Sequence, residues 1–240
     1  MLFYYPIFDW TLFLLLPAFI FALIAQYRVN RAFKWGSTIK TSHGMTGAQT
    51  ARRILDENGL YHISVQRVPG HLTDHYSPKE DTIFLSEAVY DGANAAAVGV
   101  AAHEAGHALQ YATNYLPIRV RAAIIPMTRI GAGLAMPLFL IGLFISYFYL
   151  QAASPISDFF MVSGIALYSF STLFQLITLP VEFNASRRAL RILDGWGTLT
   201  KEEHRAAGQV LSAAAMTYVA ALASSLLSLF RLILIFRRRR

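Results

Sequence analysis

The chain has 240 residues, 55% of them hydrophobic and 15% charged, with a mean hydropathy of +0.42. A soluble domain carries about 25% charged residues, so the composition speaks for a membrane protein, and the net charge of +7 suits a membrane surface better than nucleic acid. With no cysteine, disulfides and thiolate-bound metals are excluded, and any metal must be held by His, Asp or Glu.

The first apolar run, Pro6–Tyr27, is long enough to cross a bilayer. Its charges (Arg28, Arg31, Lys34) follow the run and no small-residue cleavage site comes after it. It therefore reads as a retained anchor with its N-terminus outside, not as a signal peptide. Residues 37–111 read as a region outside the bilayer. Thr46–Asn58 has helix signals, with Thr46 as cap, Asn58-Gly59 as stop, and Ala48, Ala51, Ile54 and Leu55 on one side. His62–Val68 and Asp81–Ser86 are candidate strands, separated by a loop holding Pro69-Gly70 and Pro78. Asp81–Ser86 reads either as a plain sheet strand or as an exposed edge to which a peptide could add. Ala93–Tyr111 is a helix rich in Ala and Gly, which lets neighbouring helices come close.

Two more apolar runs follow, Ala122–Leu150 and Phe159–Leu179. The link Gln151–Asp158 has no Lys or Arg and is assigned outside, whereas Arg187–Arg205 is basic and is assigned inside. Segments 28–121 and 182–205 then share the cytoplasmic face. The last run, Ala206–Phe236, reads as a span that violates the charge rule or as a tilted or re-entrant helix, because Arg237–Arg240 follows it. Those arginines suit anionic lipid heads.

The chemistry sits in His103-Glu104-Ala105-Gly106-His107, an H-E-x-x-H pattern. On a helix, residues four apart share a face, so both imidazoles can reach one ion. Glu104 is placed to hold a water on that ion and take its proton. Zn²⁺ suits such ligands, and a catalytic site needs three of them with one open position. A pair of histidines packed between helices is the plainer reading. Against it, the surrounding residues are nearly all Ala, Gly or Val, and polar groups there need a partner. Glu182 is the candidate third ligand. It follows an apolar span and Pro180, whose ring is expected to disrupt the helix and redirect the chain at the membrane edge. An acid favoured by a helix N-terminus is the alternative for Glu182.

Leu72-Thr73-Asp74-His75-Tyr76, the stretch Val100–His107, Pro180–Arg187 and Ala213–Ala221 resemble the YugP-like neutral zinc metallopeptidases of bacterial membranes. The likeness runs from about Met45 to about Leu222. It implies a membrane metallopeptidase in which His103, His107 and Glu182 bind zinc and Glu104 is the catalytic acid/base. More distantly, Glu182-x-x-Ala185-Ser186-Arg187 is similar to the E-x-x-A-D-R signature of membrane gluzincins. Ser186 departs from it, standing where those enzymes have an Asp that orients a ligating His. Its hydroxyl, one turn after Glu182, could serve in that place more weakly.

Other residues have weaker claims. His71 and His75 are four apart on the expected loop and read as a second metal pair or as structural hydrogen-bonding groups, with His75 or Tyr76 also a candidate neighbour of the substrate. Tyr218 or His75 could face a developing oxyanion, although a tyrosine in an apolar run more often packs. Arg187 and Arg188 read as flanking charges before substrate contacts, and His43, His62 and His204 as surface residues.

The expected fold is a mainly α membrane protein with three or four transmembrane helices and a small cytoplasmic α+β portion carrying the H-E-x-x-H helix. Its expected parts are an N-terminal anchor (1–30), a cytoplasmic zinc-protease region (31–121), a transmembrane hairpin (122–181), and the third-ligand helix with a C-terminal membrane helix (182–240). The expected function is zinc-dependent hydrolysis of peptide bonds in a bacterial plasma membrane, with a protein or peptide substrate, the lipid bilayer as surroundings and no nucleic acid. A zinc-binding scaffold without turnover and a small ion or proton transporter are the alternatives.

Overall fold

The computed structural model describes residues 10–149 and 154–238. The start of the first apolar run, residues 150–153 of the expected outside link, and Arg239 and Arg240 lie outside that range. After a 3₁₀ turn over Trp10–Leu15, the elements in chain order are α1 (Leu16–Thr38), α2 (Gly47–Glu57), β1 (Ser64–Val68), β2 (His75–Ser77), β3 (Thr82–Ser86), α3 (Glu87–Tyr90), α4 (Ala95–Ala112), α5 (Leu116–Phe144), α6 (Pro155–Gly195) and α7 (Lys201–Arg238). The protein is mainly α, with a small α+β part. The helices beginning at Trp10, Leu116, Pro155 and Lys201 are each long and apolar enough to cross a membrane.

The residues divide into two compact units, one of 24–119 with 179–217 and the other of 1–23, 120–178 and 218–240. The first carries the sheet. Strand order is β1-β3-β2, with β1 parallel and β2 antiparallel to β3. Asp81–Ser86 is therefore not an edge. Its strand, β3, is the middle one, with Thr82, Ile83, Leu85 and Ser86 buried. The free edges belong to β1 and to β2, a strand of only three residues inside the expected loop.

Local chemistry explains the flanking helices. Thr46 accepts from the Gln49 backbone N–H, and the Gln49 side chain accepts from the Thr46 N–H. This capping box starts α2 where the sequence placed it. Asn58 closes α2, and Gly59 follows with φ +73°, a conformation that favours glycine. Ala51, Ile54 and Leu55 of α2 are fully buried in a core shared with Ile83, Leu85, Val89 and the Ala face of α4. Asn94 caps α4 by accepting from the Ala97 N–H.

α4 is buried along nearly its whole length, and its small residues make that geometry available. A Cβ on Gly106 would lie 2.8 Å from the Ala185 carbonyl oxygen of α6, and one on Gly99 would lie 3.1 Å from the Ala207 Cβ of α7. This close approach of α4 to the α6 backbone falls within the H-E-x-x-H segment.

Pro180 does not break its helix, contrary to the expectation. It lies inside α6, which runs without interruption from Pro155 to Gly195. A proline removes one backbone hydrogen bond, and a long apolar helix with packed neighbours tolerates that loss. α5 likewise contains Pro126 and Pro137.

In the second unit, α5 and α6 pack through glycines. A Cβ on Gly164 would meet the Ala135 carbonyl oxygen at 2.6 Å, and one on Gly131 would meet that of Leu167 at 3.0 Å. Phe139, Leu143, Met161, Leu232 and Ile235 form its core. The Thr172 and Ser225 hydroxyls hydrogen-bond at 2.7 Å, linking α6 to α7. Small residues and inter-helix hydroxyl bonds are how helices associate where lipid removes any hydrophobic gain. Phe13, Phe144, Phe159 and Phe230 are at least half exposed, as suits surfaces that face acyl chains.

Candidate metal centre

α4 carries His103, Glu104 and His107, and the part of α6 after Pro180 carries Glu182. All four belong to the first unit. Because His103 and His107 are one turn apart, their imidazoles project from one face of α4, with ring centroids 4.7 Å apart at 84°. The Glu182 carboxylate enters from α6. Its Oε2 is 3.2 Å from His103 Nε2 and 3.5 Å from His107 Nε2. One ligand atom from each residue lies within 4.8 Å of the others. His107 and Glu182 are buried, and His103 is partly so. Two imidazoles and one carboxylate are a donor set that could hold a divalent metal ion.

The outer nitrogens of both rings are also engaged. His107 Nδ1 lies 3.0 Å from the Gln110 Oε1. The Gln110 amide nitrogen donates to the Val181 carbonyl at 2.8 Å and to Asn184 Oδ1 at 3.0 Å. Those two acceptors fix which end of the amide is which, so Oε1 must accept and His107 Nδ1–H must donate. Nε2 then presents a lone pair toward the Glu182 carboxylate. Two facing acceptors need a cation between them, either a proton or a metal ion. Arg188 Nε donates to the same Asn184 oxygen at 2.9 Å, extending the chain of bonds along α6. On the other ring, His103 Nδ1 lies 3.1 Å from the Ser186 hydroxyl. Ser186 thus reaches His103 from the place the sequence comparison with E-x-x-A-D-R marked.

Glu104 is buried beside this group. Burial pushes its carboxyl up to about 7, His103 and His75 oppose the rise, and the Glu182 and Asp74 charges add to it. A carboxyl group poised near neutrality can both accept and return a proton.

Gln110 and Asn184 were not singled out by the sequence. Gln110, one turn beyond His107 in a helix rich in Ala and Gly, is fully buried. Asp74 was also passed over. Its carboxylate accepts from the Ser86 N–H at 2.7 Å and from the Ser86 hydroxyl at 3.1 Å, tying the β2 approach to the end of β3.

The weaker candidates separate. His75 stacks on Phe84, with centroids 5.0 Å apart, and its Nδ1 lies 2.8 Å from the Thr73 carbonyl. His71 sits edge-on to Phe33 instead, so the two rings have different neighbours. The group His103, His107 and Glu182 contains neither of them. Tyr76 packs on Tyr111 of α4 with centroids 5.7 Å apart, and burial, with the Asp81 charge, pushes its hydroxyl up to about 12. Arg188 stands over the Tyr115 ring as well as bonding Asn184. Tyr218 lies on α7 in the second unit. His204 Nε2 is 3.3 Å from the Leu190 carbonyl.

Residues 11–237 match the family described as "Putative neutral zinc metallopeptidase". The chain is 44% identical over 225 residues to "Putative membrane protease YugP" of Bacillus subtilis (strain 168), an alignment covering 94% of this chain and 96% of that protein. No solved structure matches it.

Proposed function

Because the chain belongs to this family of neutral zinc metallopeptidases, we propose that it is a zinc endopeptidase that hydrolyses peptide bonds at a bacterial plasma membrane. The observation that carries the reading is the convergence of His103 Nε2, His107 Nε2 and Glu182 Oε2 from two helices onto one point. The donor set fits zinc: the ligands are imidazole and carboxylate, there are three of them, and the tautomer of His107 leaves its inward nitrogen bare. A zinc ion bound there supplies Lewis acidity, polarising a substrate carbonyl and lowering the pKa of water.

The chain's own residues divide the remaining work. His103, His107 and Glu182 hold the ion, with Gln110 and Ser186 orienting the rings. Glu104 takes the proton from the attacking water and passes it to the leaving amine nitrogen. Its burial disfavours the charged carboxylate and so eases the uptake of a proton. The substrate is a protein or peptide in extended form. The free edge of β2, the strand that contains His75 and Tyr76, offers backbone groups with which such a strand can pair. The charge distribution supports a site on the cytoplasmic face, since its residues lie in the basic segments 28–121 and 182–205.

Zinc content of the purified full chain tests the ligand set. Wild type is expected to carry about one zinc per chain, as a three-ligand site implies, and Glu182→Ala to lose most of it. Full zinc retention in Glu182→Ala refutes Glu182 as a ligand. A wild-type chain that takes up no zinc refutes the site.

A further inference from the structure

A concavity lies between α1 and α7, within the first unit, and none of the candidate metal ligands lines it. Its volume is about 550 Å³, and its lining includes Arg28, Arg31 and Trp35 from α1 with Gln209, Ser212 and Met216 from α7. The spacing is the same on both walls. Positions i, i+3 and i+7 fall on one face of a helix, so each wall presents one stripe to the groove. No acidic residue lines it, and among the described residues neither arginine has a carboxylate within ion-pair distance.

Its level along α1 is marked by the residues before it. Phe19, Ile20, Leu23, Ile24 and Tyr27 are all between 45% and 64% exposed, a surface suited to acyl chains. Arg28 is the next residue. The groove therefore opens where hydrocarbon gives way to headgroups, and Trp35, itself 38% exposed, is a residue type that gathers there.

We propose that this groove binds the headgroup of an anionic phospholipid. Two guanidinium groups match a phosphodiester in charge and in donor geometry. Gln209 and Ser212 supply hydrogen bonds from the opposite wall. Met216, at the Arg28 end of the groove, offers apolar surface to the glycerol and upper acyl region, a contact that free inorganic phosphate lacks. The floor connects the groove to the ligand helix. A Cβ on Gly36 would lie 3.1 Å from the Ala96 Cβ of α4 and 3.2 Å from Val210 of α7, so three helices meet beneath the lipid.

The test uses the full chain in phosphatidylcholine nanodiscs doped with photoactivatable phosphatidylglycerol, the adducts being mapped by peptide mass spectrometry. Adducts are expected within 28–35 and 209–216. Each basic side chain at an anionic surface is worth about fivefold in binding, so the double variant Arg28→Gln/Arg31→Gln should lower adduct yield by about thirtyfold. Both side chains are exposed, and zinc content and melting temperature should stay at wild-type values. Unchanged yield in the double variant overturns the proposal. So does equal yield from a phosphatidylcholine probe. Displacement of the lipid probe by millimolar inorganic phosphate identifies a free-anion site and overturns the lipid assignment.

Discussion

The imidazole of His107 is held at both nitrogens, and Gln110 decides how. Because the Gln110 amide nitrogen is committed to the Val181 carbonyl and Asn184 Oδ1, only its oxygen can face His107. A partner of this kind typically contributes 10–100-fold to metal affinity. Gln110→Leu, which fills similar space but cannot accept, should weaken zinc binding by about that factor in a chelator competition. Unchanged affinity would show that the Gln110 bond does not set the tautomer. His103 and His107 were legible from spacing alone, because H-E-x-x-H on a helix has one geometry. Gln110 was harder to read. A glutamine three residues after a ligand means nothing until the helix that supplies its other partners is known, and that helix is 71 residues away.

At the scale of elements, the site depends on how closely α4 and α6 approach. Gly106 allows it, since a Cβ there would press on the Ala185 backbone, which cannot rotate away as a side chain can. Gly106→Ala should separate the helices, lower the melting temperature in detergent and reduce zinc affinity. Overpacking of this kind costs about 1–3 kcal/mol. Gly208→Ala is the matched control, because its Cβ would make only ordinary contact with Leu190 side-chain atoms at 3.8–3.9 Å. It should be neutral or slightly stabilising. Equal effects of the two changes would contradict the close-approach account. Sequence pattern located α2, β1, β3 and α4 to within two residues, because their caps, stops and alternation are local signals. It failed on β2, where three residues beside Pro78 carry no period. It failed again at Pro180, where the rule that proline ends a helix yields to the long apolar environment of α6.

Over the whole molecule, the membrane character was plain from composition, and the structure supplies four helices long enough to act on it. Which chain segments meet was not plain. His107 and Glu182 are separated in sequence by all of α5 and most of α6, yet they share one unit with the sheet. The position of Glu182 after an apolar span, on the same side as the histidines by charge, pointed across that distance, and so did the resemblance of Pro180–Arg187 to a known signature. Apolar periodicity cannot, since lipid-facing and helix-facing residues are both hydrophobic. The division of labour proposed for the molecule is then spatially simple: one unit holds the metal ligands, Glu104 and the sheet, and the other is built of helices with lipid-suited surfaces.

Cleavage of an unfolded test protein by the full chain, with zinc content read on the same samples, tests the central claim most directly. Glu104→Gln should keep the zinc of wild type and lose cleavage, because the amide can neither take a proton from water nor return one. Cleavage undiminished in a Glu104→Gln chain that still holds its zinc would contradict the account.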